Sequence, residues 1–229
     1  MKVGNPYGSV FELLAAKSIS KTLKAEPDKE QECVDKYVGL LKKIHSTEVE
    51  EGFLPSMKKT ASNWADFLKD YLPPKEGEKL KSLIEAVPES NHMLHGDYHT
   101  KNVMLQNGEA LLIDMDTLCT GNPVFDFASM YNAYIGFGEV DHALVSDFIG
   151  IPYELGGKFF LDSVEKYLGT KDEQKVKDVV DKSRILGYTR IIRRTIRRKG
   201  LEDPQMKEQV DYFTKELISL LDTTDTLTF

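Results

Sequence analysis

At 229 residues the chain is long enough to bury a full core and to hold one or two domains. Its 41% hydrophobic and 29% charged content is ordinary for a soluble globular protein. Lysine and arginine number 30 against 37 acidic residues, and the resulting charge of −7 argues against a nucleic-acid or anionic-membrane partner. No run nears the ~18 apolar residues of a membrane helix. Cys33 and Cys119 stand in different segments, which suggests no disulfide framework and fits a reducing compartment. The start Met1-Lys2-Val3-Gly4-Asn5-Pro6 breaks before any apolar core, so no signal peptide is read and a cytoplasmic location is expected.

In chain order, Asn5-Pro6-Tyr7-Gly8 reads as a turn, and Ser9 to Leu14 as a short strand ending in an acidic-apolar step. Ser18 caps a short helix through Leu23, broken at Ala25-Glu26-Pro27-Asp28. Over 28–46, Val34, Tyr37, Val38, Leu41 and Ile44 recur on one face and predict a long amphipathic helix. His45 falls in its last turn and reads as a helix-end histidine, suited to a free carbonyl there. Pro55-Ser56 opens another helix with Trp64, Phe67, Leu68 and Tyr71 as its apolar face, and Pro73-Pro74 stops it. Leu80, Leu83, Ile84 and Val87 make the inner face of a further helix from Glu76 to Val87, ended by Pro88.

The stretch that organises the rest is His95-Gly96-Asp97-Tyr98-His99-Thr100-Lys101-Asn102. After it, Val103-Met104-Leu105 and Ala110-Leu111-Leu112-Ile113 flank an Asn107-Gly108 turn, the pattern of a β-hairpin that delivers Asp114 at its end. Thr117 to Asn122 reads as a loop, and Pro123 starts a helix holding Phe125, Phe127, Ala128, Met130 and Tyr131. Helices are expected over 140–149, 153–168, 172–199 and 204–222, with Gly150, Gly169 and Gly200 near their ends. No internal repeat is visible, and the polar tail 223–229 is expected to fray. The fold class is mainly α with a small β-hairpin (α+β).

Phosphoryl transfer to a hydroxyl needs a carboxylate to orient the attacking group and accept its proton, and hard oxygen ligands that hold Mg²⁺ on the phosphates. Asp97 and Asn102 stand five residues apart, the spacing of the protein-kinase catalytic loop. His95-Gly96-Asp97-x-His99-x-x-Asn102, then Ile113-Asp114-x-Asp116, then Gly121-Asn122-Pro123-Val124-Phe125-Asp126-Phe127-Ala128, in this order and spacing, resembles the aminoglycoside-phosphotransferase and choline-kinase-like branch of the protein-kinase fold. The resemblance implies ATP and Mg²⁺ as cofactors, Asp97 as catalytic base, and Asn102 and Asp114 as metal ligands. It makes His95 an anchor of the loop and Asp126 the acid that ties the loop down through hydrogen bonds. His99 either touches the acceptor or phosphate or is a hydrogen-bonded loop histidine. Asp116 either reaches the metal through water or satisfies loop amides. By the same likeness the segment through Glu12 and Leu14 is the hinge, whose backbone hydrogen-bonds the adenine.

That family carries a small lobe before the hinge, with a glycine-rich loop over the phosphates and a lysine paired to a helix glutamate. Neither is seen here. The expected organisation is therefore a remnant of small-lobe strand and hinge over 1–17, a kinase-like large lobe over 18–222 with catalytic loop 95–102 and metal loop 113–117, and the tail. Partners would be the nucleotide, a small-molecule acceptor, and either a homodimer through the exposed upper face or a separate small-lobe polypeptide. A different class of reading is a non-catalytic binding or scaffold module that kept the motif. A metallohydrolase built on His92, His95, Asp97 and His99 is remote, since the spacing is not His-Glu-x-x-His and Asn102 and Asp114 go unexplained. From Arg184 to Lys199 a basic stretch carries an apolar stripe of Ile185, Thr189, Ile192 and Ile196. Its arginines, Arg190 to Lys199 most densely, read as a solvated face, or else one of them meets an anionic acceptor or phosphate. The acceptor itself, and ATP against GTP, have no readable signature.

Overall fold

The computed structural model describes residues 13–198 and 200–229. Most of the expected strand over 9–14, Glu12 included, lies outside these residues; Leu14 is half-buried in irregular backbone. Helix α1 (Ile19–Ala25) begins where Ser18 Oγ accepts from Lys21 N, and α2 (Glu30–His45) buries the five residues its periodicity marks. Ser56 likewise caps α3 (Met57–Leu68) by accepting from Lys59 N. The buried face of α3 differs from the expected one. Ala61, Ala65 and Leu68 are buried, whereas Trp64 and Phe67 are half-buried and Tyr71 is exposed. The two rings are held at the surface by cations, with the guanidinium carbons of Arg190 and Arg193 at 6.0 and 5.9 Å from their centroids. Helix α4 (Pro74–Glu85) starts on its second proline, whose missing N–H costs nothing in the first turn.

Five short strands lie among the described residues: β1 (Lys17–Ser18), β2 (Met93–Leu94), β3 (Val103–Gln106), β4 (Glu109–Leu112) and β5 (Cys119–Thr120). The hairpin β3–β4 closes through Asn107 and Gly108, both at positive φ (52° and 83°), as a type I′ turn requires. Beyond the expected two strands, β1 adds a third antiparallel edge on β3, with Ser18 opposite Met104. The segment 117–122, read as a loop, instead holds β5, which pairs with β2, and a 3₁₀ turn, Met115–Thr117, leads into it. Strands of two residues leave no alternation in the sequence, so nothing there announced the pair.

In the C-terminal half, α5 (Val124–Tyr134) is buried at every position and forms the central rod of the core. Around it stand α6 (His142–Ile149), α7 (Tyr153–Leu168), α8 (Glu173–Arg197) and α9 (Pro204–Thr223). Helix α8 packs on both α5 and α9, and α7 packs on α2, so one hydrophobic cluster runs from Ile19 to Leu227. Gly150 and Gly169, at φ +79° and +68°, end α6 and α7 in the left-handed conformation. The tail does not fray. Leu227 is buried, Lys182 Nζ donates to Thr228 O at 2.7 Å, and the Phe229 ring meets Phe127 edge-on. Among the described residues no helix is long and apolar enough to cross a membrane.

Candidate active site

Strand β2 leads into the catalytic loop and β5 follows the metal loop, so their pairing brings the two loops together. The loop is clamped by Asp126, fully buried on α5. Its Oδ2 accepts from His95 N at 2.9 Å and its Oδ1 from Gly96 N at 2.7 Å. His45 Nε2 lies 3.0 Å from Oδ2, and Tyr167 OH lies 2.9 Å from His45 Nδ1. Burial pushes the Asp126 carboxyl up, but the His45 contact and the two backbone amides outweigh it and hold the carboxyl below its usual range. The resemblance gave Asp126 this tying role. His45 departs from its reading as a helix-end histidine, because it faces inward onto Asp126 rather than onto a carbonyl.

From beneath, Tyr98 OH donates to Tyr37 O at 2.7 Å while Tyr37 OH donates to Tyr98 O at 3.2 Å. Thr100 N donates to Tyr134 OH at 2.9 Å, and Ser20 Oγ to Thr100 Oγ1 at 2.7 Å. His95 is buried; its Nδ1 accepts from Asp97 N at 3.2 Å, which leaves the proton on Nε2 to face Ile113 O at 3.4 Å. Both ring nitrogens are thus engaged, and among the described residues no group of three His, Cys, Asp or Glu side chains is placed to hold a metal. The metallohydrolase reading loses its ligand set.

Asp97 projects from this fixed loop with its side chain about one-third exposed (35%). Its Oδ2 lies 3.5 Å from His99 Nε2 and its Oδ1 3.9 Å from Arg190 Nη2. Burial raises the carboxyl, but hydrogen bonding and charge from His99, then the charges of Arg190 and His95, bring it below the ordinary value. It is a carboxylate at neutral pH. Asn102 is buried, donates from Nδ2 to Asp97 O at 3.1 Å, and among the described residues takes no hydrogen bond at Oδ1. The hairpin ladder continues one pair past its strands, with Ile113 N donating to Asn102 O at 3.0 Å. Asp114, the next residue, is therefore brought beside Asn102, exposed and in the left-handed conformation (φ 59°, ψ 60°), which aspartate tolerates better than most residues. One amide oxygen and one exposed carboxylate are hard donors that suit Mg²⁺ completed by phosphate and water. Asp116 is exposed and accepts no loop amide among the described residues, which removes that half of its reading. His99 sits 3.3 Å from Asn102 Nδ2, and its ring packs edge-on against Phe148.

Beside Asp97 opens a cavity of about 560 Å³, within the size range of small-molecule sites. Arg190, Arg194 and Arg198 line it together with apolar side chains of α5, α6, α8 and α9. Arg194, Arg197 and Arg198 are exposed, as a solvated face would be, yet Arg190, Arg194 and Arg198 also border this cavity. Arg190 and Arg194, four residues apart, share one side of α8, and Arg198 follows four residues on at its C-cap. Arg190 is the site residue that sequence reasoning did not single out: its Nη1 donates to Gly96 O and to Ser129 Oγ, both at 3.2 Å.

The model of the phosphotransferase enzyme family (APH) matches residues 5–150, well over half of the chain. No curated protein sequence matches it. Among solved structures the chain is similar to an ADP-bound aminoglycoside phosphotransferase, APH(2'')-Ib, with a TM-score of 0.56 and 14% identity over 92% of this chain and 71% of that one. It is similar also to APH(4)-Ia, a thermostable mutant in ternary complex with AMP-PNP and hygromycin B (TM-score 0.51, 12% identity, 91% and 70% covered). The gentamicin complex of APH(2'')-IIa gives a TM-score of 0.50 at 15% identity, over 95% and 71%. At such identities the likeness is one of fold. With residues 95–102 and 113–117 inside the matched segment, the chain belongs to the phosphotransferase enzyme family and carries that family's kinase-like fold.

Proposed function

We propose that the protein moves the γ-phosphoryl group of ATP, bound with Mg²⁺, to the hydroxyl of a small molecule held in the cavity beside Asp97. One observation carries this reading: an ionised Asp97 stands at the edge of that cavity, in the same rigid loop that places Asn102 beside Asp114. The nucleotides and hydroxyl-rich aminoglycosides in the similar structures support it.

Asp97 accepts a hydrogen bond from the acceptor hydroxyl, aims the hydroxyl oxygen at the γ-phosphorus, and takes its proton as the new P–O bond forms, the bond to the β–γ bridging oxygen breaks and ADP leaves. Its lowered pKa makes it a weak base, which suits a reaction dominated by positioning and electrostatics. Arg190 fixes the loop from below by its bonds to Gly96 O and Ser129 Oγ. Asn102 and Asp114 would hold Mg²⁺, which when bound neutralises charge on the phosphate oxygens. Leu14 belongs to the segment this reading gives to the adenine. A small lobe covers the nucleotide in the resembled family, and no described residue forms a glycine-rich phosphate loop, so in this reading the cover comes from further sequence or from a second polypeptide.

Calorimetric titration with Mg-ATP tests the nucleotide half, with Asp114→Ala as control. Binding that disappears in the control supports the reading, and no binding to the parent returns the chain to a non-catalytic module. Transfer assays test the chemical half. Asp97→Asn should lower kcat by at least about 100-fold with the melting profile unchanged; a variant as active as the parent sinks the role of Asp97.

A further inference from the structure

We infer that the acceptor is an anionic hydroxyl compound with an apolar body, whose carboxylate or phosphate is bound by Arg194 and Arg198 while its hydroxyl faces Asp97. The inference rests on the phosphotransfer reading for the hydroxyl and on the cavity alone for the anion. Among the described residues the charged side chains lining the cavity are Asp97, Arg190, Arg194 and Arg198, three cations against one anion. Arg190 is spent on Gly96 O, Ser129 Oγ and the Asp97 carboxylate. Arg194 and Arg198 have no carboxylate partner among the described residues, and both are exposed. Arg194 stacks its guanidinium carbon 5.5 Å from the Phe137 ring centroid, which leaves its N–H fork open to a planar oxyanion.

Crowding like charges four residues apart on one helix side is unfavourable without a counter-ion. Partial desolvation, then the charges of Arg198 and Arg190, lower the Arg194 guanidinium from its ordinary value. The helix dipole favours cations in the last turn of α8 on every side alike, so it does not account for two of them facing the cavity. Arg197, in the same turn, is exposed and does not line the cavity. Phe137, Val140, Leu144, Phe148 and Phe213 supply the apolar wall. Glu139, next to that wall, is not free for a cationic group, because Tyr188 OH, Tyr212 OH and Tyr131 OH all donate to its carboxylate. Among the described lining residues a polyamine such as an aminoglycoside would meet net positive charge, with Asp97 the one carboxylate.

The test is calorimetric titration with mandelate, phenyl phosphate, benzyl alcohol and gentamicin, each against the parent chain, Arg197→Gln and the double variant Arg194→Gln/Arg198→Gln. Mandelate or phenyl phosphate should bind about tenfold or more tightly than benzyl alcohol, and the double variant should lose that preference while Arg197→Gln keeps it. The tighter of the two tells carboxylate from phosphate. Equal binding of benzyl alcohol, tighter binding of gentamicin, anion binding that survives the double variant, or no binding of any probe overturns the inference. Mg-ATP is titrated into the same proteins. Affinity lost in the double variant would assign the arginines to the nucleotide and overturn it as well. Arginine-dependent anion binding in a chain that never binds Mg-ATP would sink the phosphotransfer reading and leave the anion site standing.

Discussion

Gly96 shows how tightly the site is drawn at the scale of one residue. Its φ is +77°, its N–H goes to Asp126, its carbonyl takes Ser129 and Arg190, and a Cβ there would stand 2.6 Å from Thr117 O. Two separate reasons thus demand glycine, a left-handed backbone and a backbone neighbour with no room to give. Gly52 offers the control, since its φ is +79° and nothing lies within 4 Å of the added atom. Gly52→Ala should cost about 1 kcal/mol for the backbone alone. Gly96→Ala should cost about 3 kcal/mol or more, because displacing Thr117 adds an overpacking penalty. Urea unfolding of both variants checks the difference, and equal costs would mean that the close approach to Thr117 relaxes freely. Thr117 Oγ1 also donates to His95 O, so the same shift would loosen the joint between the catalytic and metal loops.

Among elements, the decisive joint is where α2, α5 and the catalytic loop meet at Asp126. A fully buried carboxylate survives there because His45 and two amides surround it, and removing one partner of such a set typically costs about 3–5 kcal/mol. The carboxyl is held below its unfolded value, so it adds stability above pH ~4 that is lost as pH falls through its folded value. The stability gap between the parent and Asp126→Ala should therefore shrink as pH falls below ~4. Urea midpoints as pH falls measure it, and a gap unchanged down to pH 3 would count against the assignment. The sequence made part of this joint legible. Asn107-Gly108 announced the hairpin, and the spacing of Asp97, Asn102 and Asp114 announced the loops, because local turn chemistry and fixed offsets leave a written trace. His45 and Arg190 were not readable as site residues, since their partners lie 81 and 94 residues away and no local pattern encodes such contacts. On α3, Trp64 and Phe67 pack against the core as their spacing predicts, but the arginines of α8 over their rings left no local trace for the same reason.

At the scale of the whole molecule, the chain's end is part of the core that carries the site. Composition points the other way, because 223–229 is mostly threonine and aspartate, and the periodic signal has ended by Leu221. Only one residue in three or four needs to be apolar for a tail to dock, and Leu227 is that residue, 1% exposed. From there the packing is continuous: Phe229 on Phe127, Phe127 on Tyr167, Tyr167 to His45, and His45 to Asp126 under the catalytic loop. Contiguity of this kind predicts shared stability, whereas coupling of the site's affinity would need an element with two arrangements, which this packing does not show. Leu227→Ala should therefore cost about 2–5 kcal/mol, the usual range for emptying a buried leucine site, and lower Tm by roughly 5–15 °C. Phe229→Ala should cost about 1 kcal/mol, because that ring is already 41% exposed. Affinity for Mg-ATP, or for whichever anion the cavity takes, should stay at the parent's value in both variants when measured well below Tm. A docked tail with a purely structural task requires both results together. Parent-like melting of Leu227→Ala would mean the tail does not pack in solution. A loss of affinity at full folding would mean that the end of the chain reaches the loop by more than contact.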